Sequence, residues 1–231
     1  MKHYNVSKKV ILFLVKFAGG GIIRAGLFLI ILIILLLASL GKTDQLLAST
    51  SLNWSEEKAI SQKILAHDPD DILANFRLAI ALVNLGKIEE AYDFFQQISD
   101  KIDQQEFNDA LAPTLNRLEQ EPDNLRLLNY AAFSSSINKE YDQAINYFQE
   151  ILLLEPKNIW IMNYMAATYL EQEKYEQARD TLTKALKIKD NKYSHFVLGM
   201  LSYKEGNYIK ALLEFSRSGN LLSKILNKSS K

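Results

Sequence analysis

The chain has 231 residues, of which 48% are apolar and 23% are charged, and it contains no cysteine. This length is ample for a hydrophobic core, so a disulfide-stapled miniprotein is excluded. The lack of cysteine excludes thiol catalysis and every cysteine-based zinc or iron–sulfur site. The formal net charge is zero, but the first 24 residues carry five Lys or Arg and no acid, which leaves 22 basic against 27 acidic residues in the rest. A basic, nucleic-acid-binding domain is therefore not expected in the chain after residue 24.

The most apolar part of the chain lies between residues 22 and 41. It contains eleven consecutive large apolar residues, LFLIILIILLL, at positions 27–37. Roughly twenty helical residues, each rising about 1.5 Å, match the hydrocarbon thickness of a bilayer. We therefore predict a single transmembrane helix over 22–41, with Arg24 near the lipid headgroups.

The residues before this span are basic. The segment 10–17 (VILFLVKF) either forms an interfacial helix on the anionic inner leaflet or extends the spanning helix, so contacts with membrane lipid are expected over 10–41. Five Lys or Arg precede the span, whereas the twenty residues after Leu40 contain only two. The positive-inside rule therefore places the basic segment, residues 1–21, in the cytoplasm and the rest of the chain outside it.

A cleaved signal peptide is the alternative to a permanent anchor. The small residues Ser39 and Gly41 loosely resemble a cleavage site, but a basic leader of 24 residues is long for a signal peptide. The first interpretation predicts a single-pass membrane protein with its main domain outside the cytoplasm. The second predicts a protein that is secreted after signal cleavage.

The chain after the span is helical in pattern and repeats itself. Residues 42–54 are small and polar and are interpreted as a tether, and beyond them apolar residues recur at three- and four-residue spacing between polar turns. When Leu125 is aligned with Ile159, 34 residues further on, six identical pairs come into register. These pairs are Asn129/Asn163, Tyr130/Tyr164, Ala132/Ala166, Tyr141/Tyr175, Gln143/Gln177 and Ala144/Ala178.

Four segments share one template when positions are counted from residues 72, 125, 159 and 192. Each has a small residue at position 8, an alanine at position 20 and a large apolar residue at position 24. Positions 8 and 20 are Ala79 and Ala91, Ala132 and Ala144, Ala166 and Ala178, and Gly199 and Ala211. Position 24 is Phe95, Phe148, Leu182 and Phe215, and Pro156 fills position 32 once. With these marks the sequence resembles the tetratricopeptide repeat family over residues 55–221.

The resemblance implies an all-α fold, a right-handed superhelical solenoid of helical hairpins with about ten helices, preceded by the transmembrane helix. Small side chains at positions 8 and 20 let the two helices of a hairpin approach closely. Gly86 and Gly206 suit the turn between them, because glycine tolerates left-handed backbone. The predicted repeats lie near 72–102, 125–158, 159–191 and 192–221, and a basic tail comes after them at 222–231.

One helix is predicted between the first two repeats. Ala91 and Ala144 are 53 residues apart, which exceeds one period by 19 residues. We therefore predict an extra helix near 105–120. It would begin after Pro113, kink there or carry it in its first turn.

The two ends of the solenoid are predicted to carry further helical segments. A helix over 55–67 begins at Ser55, with Glu56 and Glu57 in its first turn. A long helix over 209–226 closes the chain. It either caps the last repeat or returns to the membrane surface as a basic amphipathic segment.

The sequence contains no catalytic constellation. The histidines His3, His67 and His195 are dispersed, and the run HDPDD from His67 to Asp71 is typical of a turn and a helix cap rather than a metal site. The acidic runs at 89–90, 119–121 and 171–173 are interpreted as solvated helix faces. We therefore predict no catalytic residue, no metal and no cofactor, in a protein that is not an enzyme.

The resemblance assigns a binding groove to the first helix of each repeat. The predicted groove residues are Phe76, Arg77, Arg126, Asn129, Tyr130, Phe133, Trp160, Asn163, Tyr164, Tyr193, Phe196 and Tyr203. An exposed aromatic surface of this kind typically marks binding. Asn129 and Asn163 are predicted to hold an extended peptide backbone, because an amide both donates and accepts. The alternative for Tyr130 and Tyr164 is that they pack inside the solenoid.

Together these features predict a membrane-anchored, non-enzymatic scaffold that binds a protein or peptide in the groove and has no nucleic-acid partner. Arg77 and Arg126 supply only part of the lysine-rich carboxylate clamp of some related domains, which puts recognition of an acidic C-terminus in doubt. Two alternatives remain open. One is a self-assembling structural subunit, and hence a homo-oligomer, and the other is an accessory subunit of a membrane-associated cell-envelope or secretion enzyme complex.

Overall fold

The computed structural model of the chain describes residues 52–101 and 103–223. The predicted basic segment 1–21, the transmembrane helix 22–41, most of the tether and most of the basic tail lie outside the described residues. Within the described part, no helix combines the length and the apolar composition needed to cross a bilayer.

All regular secondary structure in the described residues is helical. The helices are α1 (Trp54–Leu65), α2 (Ile72–Asn84), α3 (Ile88–Lys101), α4 (Gln104–Leu115), a 3-10 helix (Asn116–Glu119), α5 (Leu125–Ile137), α6 (Tyr141–Leu154), α7 (Ile159–Glu171), α8 (Tyr175–Ile188), α9 (Lys192–Lys204) and α10 (Tyr208–Arg217). The predicted all-helical repeat solenoid is confirmed for this part of the chain.

Each predicted repeat folds as two contacting helices, and the later hairpins stack in chain order. The pairs are α2 with α3, α5 with α6, α7 with α8, and α9 with α10. In addition, α6 packs on α7 and α8 packs on α9, as expected when each repeat buries its apolar face against the next. One hydrophobic cluster runs from α1 to α7, and a second joins α7, α8 and α9.

Side-chain caps set where the first helix of each hairpin begins. Asp71, Asn124, Asn158 and Asn191 each accept hydrogen bonds from backbone N–H groups in the first turn of α2, α5, α7 and α9. These N–H groups have no partner inside the helix, so the caps stabilise the chosen starting point. The Asp-rich run after His67 therefore serves as a turn and a cap, with Asp71 Oδ1 accepting from the N–H of Ala74 at 2.7 Å.

The small residues at positions 8 and 20 all lie in the interior. The buried set is Ala79, Ala91, Ala132, Ala144, Ala166, Ala178, Gly199 and Ala211. At Gly199 the approach is closest, because a Cβ there would lie 2.6 Å from the ring of Phe215. The helices of the last hairpin therefore need glycine at this position.

The extra helix differs from its prediction in the position of its proline. It runs from Gln104 to Leu115 and continues as the 3-10 helix, with Pro113 inside it near its C-terminal end. The predicted start after Pro113 and the predicted placement of Pro113 in the first turn are therefore wrong. Proline removes only one backbone hydrogen bond here, at the point where the α-helix gives way to the tighter 3-10 helix.

The bounds of the terminal helices also differ from the predictions. The first helix begins at Trp54 rather than Ser55, because Asn53 Oδ1 accepts from the N–H of Glu56 at 3.3 Å. The predicted helix over 209–226 is wrong, since α10 ends at Arg217. Gly219 comes next in left-handed backbone with φ 68°, a conformation that ends helices, and a new helical turn starts at 221.

Candidate functional site

The twelve predicted groove residues, called here the groove face, lie on the first helices of the four hairpins. Five of them are buried, five are half-buried and two are exposed. The buried residues are Phe76, Asn129, Tyr130, Phe133 and Asn163, the half-buried ones are Arg77, Trp160, Tyr164, Tyr193 and Phe196, and the exposed ones are Arg126 and Tyr203. Most of the groove face is therefore covered by the chain itself.

Asn129 is held by hydrogen bonds within the protein. Its Nδ2 donates to the carbonyl oxygen of Leu125 at 2.8 Å, and its Oδ1 accepts from Asn84 Nδ2 at 2.9 Å. The side chain is fully buried. The prediction that Asn129 contacts the backbone of a partner is therefore corrected, because both functions of its amide are used inside the fold.

Asn163 is likewise used to join two hairpins. Its Oδ1 accepts from Ser194 Oγ at 2.6 Å, and Ser194 lies on α9. Its Nδ2 lies 3.5 Å from Asn191 Oδ1, the cap of the same helix. The predicted peptide-holding role of Asn163 is corrected for the same reason as that of Asn129.

One of the two groove arginines pairs with a carboxylate of the chain, and the other lies over an aromatic ring. Arg126 pairs with Glu57 of α1 at 2.7 Å, and the hydroxyl of Tyr130 donates to the other oxygen of Glu57 at 3.2 Å. Arg77 lies over the Tyr130 ring, 5.9 Å from its centre. Burial, and after it the charge of Glu57, raises the pKa of Tyr130. Glu57 thus occupies the position that an acidic ligand would take.

The second helix of the first hairpin covers the aromatic centre of the groove face. Phe95 of α3 stacks on Phe133 with ring centres 5.4 Å apart and planes 12° from parallel. It also lies edge-on to Tyr164, 6.4 Å away, and Phe133 and Tyr164 are themselves 4.8 Å apart. Burial raises the pKa of Tyr164. The three rings form one cluster from three different hairpins.

The turn of the first hairpin lies against the start of the third. Gly86 approaches Trp160 so closely that a Cβ at Gly86 would lie 2.6 Å from the indole ring. Beside it, Asn84 Oδ1 accepts from Asn158 Nδ2 at 3.2 Å. The Trp160 ring also packs edge-on against Tyr193, 5.6 Å away.

An ion pair joins the first hairpin to the fourth. Glu89 of α3 lies 2.5 Å from Nζ of Lys192, the first residue of α9. Lys192 also lies over the Tyr193 ring, 4.9 Å from its centre. The hydrogen bond to Glu89 raises the pKa of Lys192. Glu89, which the sequence analysis placed on a solvated helix face, is thus partly exposed but paired within the chain.

A surface at the C-terminal end of the described chain contains five of its ten exposed large apolar side chains, and all of these but one lie outside the predicted groove positions. We call it the end surface, and it consists of Tyr203, Tyr208, Ile209, Leu212 and Leu213. Tyr203 and Tyr208 lie edge to face, 5.7 Å apart. Sequence reasoning assigned the leucines to a cap or a membrane-surface helix. The signal that could have found the surface is the apolar spacing of Ile209, Leu212 and Leu213 on the second helix of the last predicted repeat.

A cluster of polar and ionisable side chains links the helices of the last hairpin. His195 Nδ1 lies 2.6 Å from Glu214 Oε2, and His195 Nε2 lies 2.7 Å from Asp190 Oδ1. Arg217 donates to the second oxygen of Glu214 at 3.2 Å. Among the described residues no group of three His, Asp or Glu side chains is arranged to hold a metal ion.

Comparison with known proteins identifies the repeat. The model of the family described as Tetratricopeptide repeat matches residues 58–113 and 137–196, which together are half of the chain. The chain belongs to the tetratricopeptide repeat family. Proteins of this family are generally non-enzymatic scaffolds for protein–protein interaction, and the described hairpins show that repeat.

Solved structures of MamA are also similar to this tetratricopeptide repeat protein. MamA from Desulfovibrio magneticus RS-1 is 16% identical, with 74% of this chain and 86% of that chain covered at a TM-score of 0.42. MamA AMB-1 is 17% identical, with 68% and 94% covered at a TM-score of 0.42. A comparison with curated protein sequences finds no match.

Proposed function

We propose that this tetratricopeptide repeat protein is a non-enzymatic scaffold that binds a helix of a partner protein on the end surface. In a solenoid, the second helix of each hairpin is covered by the next hairpin. Ile145 on α6 is 5% exposed, whereas Leu212, at the equivalent position on α10, is 71% exposed. This difference is the observation that carries the proposal.

The third hairpin provides a second comparison. Its residue at the same position, Arg179 on α8, forms an ion pair with Glu205 in the turn of the fourth hairpin. In the second and third hairpins, the equivalent of Leu212 is thus buried or paired. A partner helix that runs along α10, as α7 runs along α6, would bury the apolar side chains that α10 exposes.

We also propose that the N-terminal span holds this scaffold at a membrane. The apolar run 27–37 and the excess of basic residues before it support a cytoplasmic N-terminus and an extracytoplasmic repeat domain. Protease added to intact spheroplasts is expected to digest the repeats, and complete protection until lysis would overturn this topology. The mass of the mature N-terminus distinguishes an anchor from a cleaved signal.

Site-specific photo-crosslinking in cells tests the end surface. A crosslinker at Leu212 is expected to give one discrete adduct with a different protein, and Ile209→Glu is expected to abolish it without lowering the melting temperature, because Ile209 is 79% exposed. Leu153 on α6 is the matched control, since it is 82% exposed but lies outside the end surface. Equal crosslinking from Leu153 and Leu212 would contradict the proposal.

The alternatives give different products in the same experiment. An adduct between two copies of this chain would support self-assembly instead of scaffolding. An adduct with residues 222–231 of the same chain would show that the tail caps the last repeat. A stoichiometric enzyme partner that survives Ile209→Glu would make this protein an accessory subunit held by some other surface.

A further inference from the structure

The first hairpin contacts repeats that are not its neighbours in the chain. Phe95 of α3 reaches Tyr164 in the third hairpin, and Glu89 reaches Lys192 in the fourth. In a regular stack, each repeat contacts only the repeats next to it. The groove face is therefore covered by a part of the chain that would not lie there if the four hairpins stacked uniformly.

The two helices of the first hairpin are anchored very differently. Nine of the thirteen residues of α2 are buried, and six of them belong to the hydrophobic cluster that α2 shares with α1, α4 and α5. On α3, only Ala91 and Ile98 are buried among the described side chains, and Phe94 and Phe95 are half-buried. α2 therefore supplies most of the buried side chains of the first hairpin, whereas α3 supplies only Ala91 and Ile98 to the same cluster and contacts the groove face through partly exposed side chains.

The contacts of α3 with the groove face are accessible to water. The side chains of Glu89 and Lys192 are 31% and 43% exposed, and an exposed ion pair contributes little to stability. Segments held by few buried contacts open locally more readily than the core. Release of α3 would uncover Phe133, Tyr164 and Lys192 together, an aromatic surface beside a cation.

From this geometry we infer that Phe133, Tyr164 and Lys192 form a second binding surface, which α3 covers in the free chain and which a helix of a partner protein takes over. The residues by which α3 contacts this surface define the chemistry of the partner helix. It must place a carboxylate at Lys192 and an aromatic ring at Phe133, as Glu89 and Phe95 do. These residues are six positions apart, about 9 Å along a helix.

This inference rests on the proposed role of the chain as a protein-binding scaffold, but it concerns a different surface. A partner helix with the required spacing would compete with α3 for the same ring and the same ammonium group. Charge complementarity at Lys192 and stacking at Phe133 set the register of such a helix. A helix that carries the acidic residue but lacks the aromatic would satisfy only half of the surface.

The test measures binding of a fluorescent synthetic peptide of residues 86–101 to the full-length protein in detergent. The double variant Glu89→Lys with Phe95→Ala loosens α3 but leaves the groove face intact. It is expected to bind the peptide at least tenfold more tightly than the wild-type chain. The matched control is Glu90→Lys, because Glu90 pairs with Lys87 on the same hairpin and not with the groove face.

Charge reversal on the other side of the pair identifies the site. Adding Lys192→Glu to the double variant is expected to weaken binding of the peptide at least tenfold. A peptide with lysine in place of Glu89 is expected to restore it. The inference is overturned if the double variant and the wild type bind the peptide equally, or if Lys192→Glu has no effect.

Hydrogen exchange separates release of α3 from loss of the fold. In the double variant, exchange is expected to rise in α3 and to stay unchanged in α5 to α8. A rise in all of these helices would show that α3 is part of the indivisible core and would overturn the inference. A doubled mass of the double variant would show exchange of α3 between two copies, and would overturn the assignment to a foreign partner. Crosslinking at Leu212 is unaffected by any of these results.

Discussion

Gly86 lies directly against the indole ring of Trp160, with room for a hydrogen but not for a methyl group. A Cβ on Gly86 would lie 2.6 Å from the nearest ring carbon. The contact joins the turn of the first hairpin to the first turn of α7, and so fixes how the first hairpin meets the third. Gly206 occupies the corresponding turn of the last hairpin with nearly the same backbone, φ 77° against 73°, and nothing lies within 4 Å of its Cβ position.

Substitution of each glycine by alanine distinguishes the cost of backbone strain from the cost of steric crowding. Gly206→Ala is expected to lower the free energy of unfolding by about 1 kcal/mol, the cost of placing a side chain on left-handed backbone. Gly86→Ala is expected to cost roughly 1–3 kcal/mol more, because Trp160 must also move. Urea unfolding of both variants measures the difference. Equal losses would show that the Trp160 ring yields without cost.

Glycine substitutions in the other two hairpin turns are expected to raise the stability of the fold. Lys139 and Glu173 adopt the same left-handed backbone, with φ 62° and 58°, although neither is glycine. Lys139→Gly and Glu173→Gly are each expected to raise the free energy of unfolding by up to about 1 kcal/mol. Thermal or urea unfolding measures this directly. A loss of stability in both variants would mean that the flexibility of glycine in the unfolded chain outweighs the relief of strain.

The buried asparagines are expected to act on stability and not directly on recognition. Asn163→Ala leaves the Ser194 hydroxyl without its acceptor. Asn129→Ala removes the acceptor of one Nδ2 hydrogen bond of Asn84, whose other Nδ2 bond goes to the carbonyl oxygen of Ile80. Each substitution is expected to cost about 1–3 kcal/mol of unfolding free energy, the penalty for an unsatisfied buried polar group. Ala178→Leu provides a comparison, since overpacking costs a similar amount by a different route. Loss of partner capture by Asn163→Ala with an unchanged melting temperature would instead support a ligand-binding role for Asn163.

Alkaline pH is expected to destabilise the fold through its buried tyrosines. Burial raises the pKa of Tyr164 above its ordinary value of 10.0. The unfolded chain therefore loses this proton at a lower pH than the folded chain does, so stability is unaffected below about pH 10 and falls as the pH rises above it. Tyr164→Phe removes this contribution and is expected to make the loss shallower. Identical loss in both proteins between about pH 10 and 12 would show that Tyr164 ionises within the fold.

Local features of the fold were predictable because they depend on neighbouring residues. The 34-residue spacing, the small residues at positions 8 and 20, and the turns at Gly86 and Gly206 indicated the four hairpins. The C-terminal helix was predicted too long, and two of the three placements predicted for Pro113 are wrong, because the end of a helix depends on capping and on the conformation of the next few residues. Proline is tolerated where a 3-10 helix takes over, and Gly219 ends α10 where the periodicity continues.

The sequence predicted which residues lie on the first helices of the hairpins, but not whether those residues remain available for binding. The repeat pattern placed Asn129, Phe133 and Tyr164 on the first helices, but it contained no sign that the first hairpin lies on them. The contacts that decide this, Glu89 with Lys192 and Phe95 with Phe133, join residues 103 and 38 positions apart. No periodicity within one repeat contains information about such pairs.

The sequence by itself therefore determined the repeat unit, because a hairpin is specified by apolar spacing, small residues and caps within 34 residues. Only the tertiary structure decided which faces of those hairpins remain available. The length of chain between α3 and α5 lets the first hairpin reach across the third and fourth, and ring stacking and one ion pair hold it there. The described chain has no further hairpin packed on the outer face of α10, so its Leu212 is exposed where Ile145 of α6 is covered.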